Sequence, residues 1–205
     1  RSPGRSWIGD VSFDFSNGTP RIAVATLEDT PVYIAGLDRD GVLNEAVIAD
    51  GRPYPPADAS ALRILPGVRE ACRILREAGT ERPFSGEYTD LDDPARAAIN
   101  DMLRSVLNLD DVLFCPHDDV DGCDCRKPRP GMILEAARRW NVDVEQSITV
   151  GDRWRDVEAG RSAGTRTVFI NRGYAERTPK EKPDLIVNEL KECVPWIIET
   201  YARTR

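Results

Sequence analysis

The stretch YIAGLDRDGVLNE, residues 33–45, runs an apolar segment straight into two aspartates one residue apart, followed by a glycine. Its apolar part, VYIAGL over 32–37, is short and continuous, the pattern of a strand buried on both faces. Asp38 and Asp40 therefore fall where that strand ends, on an anchored backbone with side chains able to reach a crevice. Taken alone, DRDG reads equally well as a capped turn. The rest of the chain decides between the two.

Downstream, GVREACRILREAG (67–79) sets Val68, Cys72 and Leu75 at helical spacing, with Gly79 as the expected C-cap. PARAAINDMLRSVL (94–107) reads as a helix opened by Pro94, followed by the strand DVLFC. PGMILEAARRW then reads as a helix, SITVGD as a strand, DVEAGRSAG as a helix and RTVFI as a strand. This alternation predicts an α/β fold with a parallel sheet and helices on both faces, 31–205 forming one domain. In such sheets the active groups gather at the carboxyl ends of the strands. Residues 1–30 read as an appendage, in which VSFDF, SNGT and RIAVA suggest a hairpin with an Asn-Gly turn. ERTPKEKPD (176–184) reads as a charged loop.

With 205 residues, 40% hydrophobic and 31% charged, the chain can bury one full core. A net charge of −7 argues against nucleic acid as a partner, because that affinity rests on clustered Lys and Arg. A local basic pocket for a small anion is compatible with it. No apolar run approaches the roughly 20 residues that span a bilayer, and no short apolar leader is present, so the chain reads as cytosolic with no membrane partner. Of the five cysteines, three lie between 115 and 125, which points to metal ligation rather than a disulfide framework.

VGDRWRD (150–156) is a second apolar run ending in an acid, Asp152, with Asp156 four residues on. Two strand ends that deliver carboxylates to one sheet edge offer the hard oxygen ligands that suit Mg²⁺. Lys127, in CDCRKPRPG just before a helix, offers a compact ammonium for a phosphoryl group. CPHDDVDGCDC supplies Cys115, His117, Cys123 and Cys125, a three-thiolate, one-imidazole set that matches a structural Zn²⁺ and would fix the loop leading into Arg126 and Lys127. His117 is the only histidine, so acid–base chemistry falls to a carboxylate.

LDRDGVLN, RKPRPGM and VGDRWRDVEAG resemble the first, third and fourth motifs of the haloacid dehalogenase-like (HAD) phosphatase superfamily. Together with CPHDDVDGCDC they are similar to the bacterial heptose bisphosphate phosphatases and histidinol-phosphate phosphatases, the resemblance spanning 32–198. It implies a HAD-like Rossmannoid three-layer sandwich with a mainly parallel sheet and no large cap domain. It also implies Asp38 as a nucleophile forming an aspartyl-phosphate and Asp40 as general acid/base. Mg²⁺ would be held by Asp38, Asp40 through its backbone carbonyl, and Asp152, three acids from remote parts of the chain around one cation. Lys127 would stabilise the transferring phosphoryl group, Arg126 and Asn44 would contact substrate, and Asp156 would orient Lys127 or the metal shell.

The implied substrate is a small phosphorylated sugar or polyol, heptose 1,7-bisphosphate first, with histidinol phosphate as the alternative. Outside the family stands a catalytically weak phosphate-binding or zinc-stabilised interaction protein, which leaves Asp38, Asp40 and Asp152 without a shared purpose. The segment NEAVIADGRPYPPADASALRILPGV (44–68) occupies the place of a substrate-specificity loop by this resemblance, with Arg52 and Tyr54 as contacts. One stretch departs from the family. Relatives carry an apolar second strand ending in Thr or Ser, whereas TERPFSGEYTDLDDPAR (80–96) is rich in acids and contains prolines and a glycine, a poor central strand. Ser85 or Thr89 would have to substitute.

Overall fold

The computed structural model describes residues 7–8, 11–14, 21–23, 35–78, 84–88 and 94–202. The chain divides into two units, Arg1–Pro31 and Val32–Arg205. In the first, β1 (Trp7–Ile8), β2 (Val11–Asp14) and β3 (Arg21–Ala23) form an antiparallel sheet in that order, with Phe13 opposite Ile22. The Asn-Gly segment expected to turn β2 into β3 lies outside the described residues.

The second unit alternates strand and helix. It runs β4 (Ala35–Asp38), a hairpin of β5 (Val47–Ala49) and β6 (Arg52–Tyr54), α1 (Val68–Glu77), β7 (Phe84–Tyr88), α2 (Pro94–Leu107), β8 (Asp111–Cys115) and α3 (Gly131–Trp140). There follow β9 (Ile148–Gly151), α4 (Trp154–Ala163), β10 (Arg166–Ile170), β11 (Leu185–Val187) and α5 (Leu190–Ala202). Six of the strands form one parallel sheet in the order β11-β10-β9-β4-β7-β8. From β4 the chain builds outward through β7 and β8, then returns to the other side of β4 with β9. The direction of winding therefore reverses between β4 and β9, the place where open α/β sheets leave a crevice at their carboxyl edge.

Period-two alternation in β9 sets the layers. Ile148 and Val150 enter the main core with Leu37, Val168 and Ile170, where Leu75 of α1, Leu103 of α2 and Ile197 of α5 are also fully buried. Each such side chain contributes about 1.5–3 kcal/mol. Thr149 points the other way, against α4: a Cβ on Gly160 would stand 2.9 Å from the Thr149 Cβ, so only glycine allows the helix that close. Ile133 of α3 packs on Ala159 and Ala163 of α4, completing the third layer.

The stretch 80–96, a poor central strand by composition, holds one nonetheless. Phe84–Tyr88 does form a strand, hydrogen-bonded on both sides, with Gly36 opposite Phe84 and Tyr88 opposite Cys115. Pairing with two neighbours outweighs weak intrinsic β-preference, and the five residues of the strand include no proline, so no ladder bond is lost for want of an N–H. Gly79 and Thr89 lie outside the described residues. Among the described residues no helix is long and apolar enough to cross a membrane.

Candidate active site

Asp38 is the last residue of β4, and the chain turns at once: the Arg39 carbonyl accepts from the N–H of Leu43 at 2.8 Å and of Asn44 at 3.1 Å. Gly41 holds this turn at φ +83°, and a Cβ there would lie 1.8 Å from Asp152 Oδ2. The absence of a side chain thus lets the turn after β4 lie directly on the acid that follows β9. On the other side, Gly151 lets Asp156 fold back over the strand end, since a Cβ at 151 would meet the Asp156 Cβ at 2.0 Å.

The carboxylates of Asp38, Asp152 and Asp156 stand with ligand oxygens within 4.8 Å of one another. Lys127 Nζ lies between two of them, donating to Asp38 Oδ1 and, at 2.7 Å, to Asp156 Oδ1. Asp156 Oδ2 accepts from the Arg153 N–H at 2.9 Å, so this acid also closes the first turn of α4. Asp152 Oδ2 accepts from the Tyr174 hydroxyl at 2.7 Å, whereas its Oδ1 is buried without a hydrogen-bond partner. Burial, then Asp156 and Asp40, push Asp38 up to about 7 against the opposing pull of Lys127. Burial and the neighbouring Asp38 and Asp156 raise Asp152 well above the carboxylate range. Burial works against the charge on Lys127, but Asp156 and Asp38 outweigh it and hold the ammonium above its ordinary value. Crowded acids with one orphaned oxygen are what a hard cation would relieve.

One expectation needs correction here. The acid whose side chain joins Asp38 and Asp152 in the carboxylate cluster is Asp156, expected to orient Lys127 or the metal shell, and it pairs with Lys127; the Asp40 side chain is outside that cluster. Asp40 Oδ2 instead receives Arg39 Nη2 at 2.9 Å and Nε at 3.3 Å, and its Oδ1 receives Asn44 Nδ2 at 2.7 Å. Asn44, expected at the substrate, is fully buried beneath Asp40 and also donates to the Glu45 carbonyl at 2.9 Å. Its amide is engaged by Asp40 and Glu45, and it is not among the residues that line the cleft.

The four residues expected to hold zinc converge as well. Cys115 ends β8, Gly122 turns the loop at φ +63°, and the three Sγ atoms stand 3.5, 3.1 and 3.4 Å apart. His117 Nδ1 is 3.6 Å from Cys115 Sγ and 3.3 Å from Cys125 Sγ. A tetrahedron with metal–sulfur bonds of about 2.3 Å has edges of about 3.8 Å, so the four donors enclose a space of the right size. Burial, with Cys125 beside it, pushes the Cys115 thiol up to about 12, a strain on the thiolate form that a cation removes. The loop reaches the cleft through Asp119, which accepts from Arg126 Nε at 2.5 Å and bidentately from Arg155 at 2.7 and 2.8 Å. Arg126 Nη1 also donates to the His117 carbonyl at 2.6 Å.

A cleft of about 410 Å³ has Asp38, Asp40, Lys127 and Asp156 in its lining. Arg126, Arg153 and Arg155 line it too, and the β5–β6 hairpin contributes Arg52 and Tyr54. Ser85 is paired with Leu37 in the ladder, so the residue level with Asp38 in β7 is Gly86. The sequence motifs do not single out Arg39, Arg153, Arg155 or Tyr174. The signal for all four is position: each sits within four residues of a strand's carboxyl end, the edge where ligands collect, Arg155 being also in the first turn of α4.

A doubly wound parallel sheet with acids from two strand ends and a lysine closing on them fits a HAD-like hydrolase, and the relatives of the chain establish that class. The HAD-hydrolase-like family model matches residues 124–193. The D-glycero-α-D-manno-heptose-1,7-bisphosphate 7-phosphatase of Photorhabdus laumondii is 32% identical over 79% of this chain and 95% of its own. The D-glycero-β-D-manno-heptose-1,7-bisphosphate 7-phosphatase of Haemophilus ducreyi is 38% identical over 78% of this chain and 96% of its own. Among solved structures, the D,D-heptose 1,7-bisphosphate phosphatase from B. bronchiseptica, complexed with magnesium and phosphate, matches with a TM-score of 0.66 at 27% identity, over 82% of this chain and 99% of that one. The chain belongs to the heptose-bisphosphate phosphatase family of HAD-like hydrolases.

Proposed function

We propose that this protein is a Mg²⁺-dependent phosphomonoesterase acting on a small sugar phosphate, heptose 1,7-bisphosphate foremost, through an aspartyl-phosphate on Asp38. The observation that carries the reading is Lys127 held between Asp38 and Asp156 at the floor of an arginine-lined cleft. Asp38, Asp152 and the Asp40 backbone carbonyl would hold the Mg²⁺, with Asp156 beside them, and the unpartnered Asp152 Oδ1 fits that role. When bound, the ion offsets the charge repulsion between a carboxylate nucleophile and a phosphate. Cys115, His117, Cys123 and Cys125 would hold a structural Zn²⁺.

In the first half-reaction an Asp38 carboxylate oxygen forms a bond to phosphorus while the bond from phosphorus to the ester oxygen breaks, and Asp40 gives its proton to the departing alkoxide. In the second, Asp40 takes a proton from water as that water's oxygen attacks phosphorus, and the bond to Asp38 breaks to release inorganic phosphate. Covalent catalysis divides one difficult displacement into two, and Lys127 meets the charge that spreads over the equatorial phosphoryl oxygens. Arg39 and Asn44 hold Asp40 ready for both transfers. Arg126 and Arg52, with Tyr54, contact the remainder of the substrate from the rim.

The test is phosphate release from heptose bisphosphate and from histidinol phosphate, with and without Mg²⁺, alongside Asp38→Asn. Metal-dependent turnover of the heptose ester, abolished in the variant, is expected. Turnover that survives Asp38→Asn would remove the proposed nucleophile, and preference for histidinol phosphate would reassign the substrate.

A further inference from the structure

The loop that leaves β10 touches several parts of this site in turn. Asn171 N–H donates to the Val187 carbonyl at 2.8 Å, fastening the loop's start to β11. Arg172 Nε then donates to the Gly41 carbonyl at 2.7 Å, within the turn that follows the nucleophile. Gly173 turns the chain at φ +71°, and the Tyr174 hydroxyl reaches Asp152 Oδ2 at 2.7 Å. Ala175 N–H donates to the Gly51 carbonyl at 2.8 Å, in the hairpin that carries Arg52 and Tyr54. Glu176 closes the sequence by pairing with the guanidinium of cleft-lining Arg153, Oε2 accepting from Nε at 3.0 Å. Successive contacts thus go to the nucleophile turn, the acid after β9, the hairpin and the cleft rim.

We propose that residues 171–176 act as a strap in which Tyr174 is a positioning residue, turning Asp152 so that its Oδ1 faces the metal. The inference rests on the reading that Asp152 is a Mg²⁺ ligand. Among the described residues Asp152 has one hydrogen-bond partner for its two oxygens: the phenol takes Oδ2 and leaves Oδ1 buried and open. The fit has no slack, because a Cβ on Gly41 would stand 2.6 Å from the Tyr174 oxygen as well as against Asp152. Outer groups that orient a ligating carboxylate commonly set metal affinity by about 10–100-fold. Without the phenol, Asp152 can rotate and the entropy lost on binding the ion rises.

The experiment is titration of the zinc-loaded protein with Mg²⁺ by calorimetry, for wild type and Tyr174→Phe, with melting temperatures in EDTA as a control for folding. Mg²⁺ binding weakened about 10–100-fold, with zinc content and the EDTA melting temperature held at the wild-type values, is the expected result. A Tyr174→Phe protein that binds Mg²⁺ as tightly as wild type overturns the strap while leaving the metal site standing. A wild-type protein that binds no Mg²⁺ overturns both. Should Tyr174→Phe melt lower in EDTA, Arg172→Gln decides instead, since it frees the strap from Gly41 and keeps the phenol: weakened Mg²⁺ binding sustains the inference and unchanged binding refutes it.

Discussion

Asp119 takes both terminal nitrogens of Arg155, at 2.7 and 2.8 Å, and so joins the tip of the zinc loop to the first turn of α4. Arg155 and then Arg126 hold this carboxylate well below its usual range. The loop thus shapes the cleft, because the acid it presents pairs with two of the lining arginines.

Asp119→Ala should therefore raise KM more than it lowers kcat. A hydrogen bond to a charged group contributes about 1.5–3 kcal/mol, and the low end applies because the Asp119 side chain is 54% exposed. The expected change is about tenfold in KM with zinc content unaltered, read from steady-state kinetics and metal analysis together. Loss of zinc in the variant would assign Asp119 to the loop's own stability instead.

Lys127→Met removes the one ammonium that lies between Asp38 and Asp156. By analogy with removing a single donor from an oxyanion site, kcat should fall by about 10²–10³. Single-turnover phosphate release separates this from slow product departure. A variant within threefold of wild type (about 0.7 kcal/mol) would show that Lys127 balances charge in the resting protein and takes no part in the transfer.

Metal-free stability should fall as pH rises. Asp38 is raised from 3.8 to about 7 in the folded chain, so folding favours its protonated form. The stabilisation is complete below the unfolded value and is lost as pH climbs through the folded one. In EDTA the melting temperature should decline between about pH 4 and 7 and level off above, as far as this group governs it. Mg²⁺, which binds the ionised acids, should raise the melting temperature more at pH 8 than at pH 5. An equal shift at both would mean that the ion binds elsewhere.

Much of this arrangement is legible in the sequence itself. An apolar run ending in Asp38, another ending in Asp152 and helices between them suffice for a parallel sheet whose acids share an edge, because strand termini and amphipathic spacing are local properties. Strand β7 is not local: Phe84–Tyr88 is a strand because β4 and β8 flank it, and nothing in FSGEY requires one. The role of Asn44 is hidden for a related reason. Asp40 and Asn44 are close in sequence to Asp38, and proximity along the chain suggests a common target, whereas the turn at Gly41 directs them to Arg39 and to each other instead. Tyr174 lies 22 residues beyond Asp152 and meets it only because β9 and β10 are neighbours.

Zinc uptake should release protons. Burial, with Cys125 close by, pushes Cys115 up to about 12, so the metal-free loop carries a neutral thiol at pH 7 that must ionise to bind. Calorimetric zinc titrations in buffers of different ionisation enthalpy should give apparent heats that scale with the buffer. Cys125→Ser should bind zinc far more weakly, and because the loop leads into Arg126 and Lys127, its KM should rise as well.

Arg39 provides the sharpest separation of charge from geometry. It has no exposed surface, yet it is a cation, fixed by Nη1 to Asn100 Oδ1 at 2.9 Å and by Nε and Nη2 to Asp40 Oδ2. Lysine would keep the charge but offers a single nitrogen on a flexible stem, and it cannot span Asn100 of α2 and Asp40 at the same time. Arg39→Lys should fold, bind Mg²⁺ and still accept phosphate on Asp38 from an activated ester whose leaving group needs no proton. It should be slow on an alkyl phosphate, where Asp40 must deliver one. Because hydrolysis of the aspartyl-phosphate needs Asp40 whichever ester formed it, the comparison is of the pre-steady-state burst of alcohol released from p-nitrophenyl phosphate and from a sugar phosphate: selective loss on the sugar ester places Arg39 behind the acid, and equal loss on both would make it a structural buttress of the β4 turn.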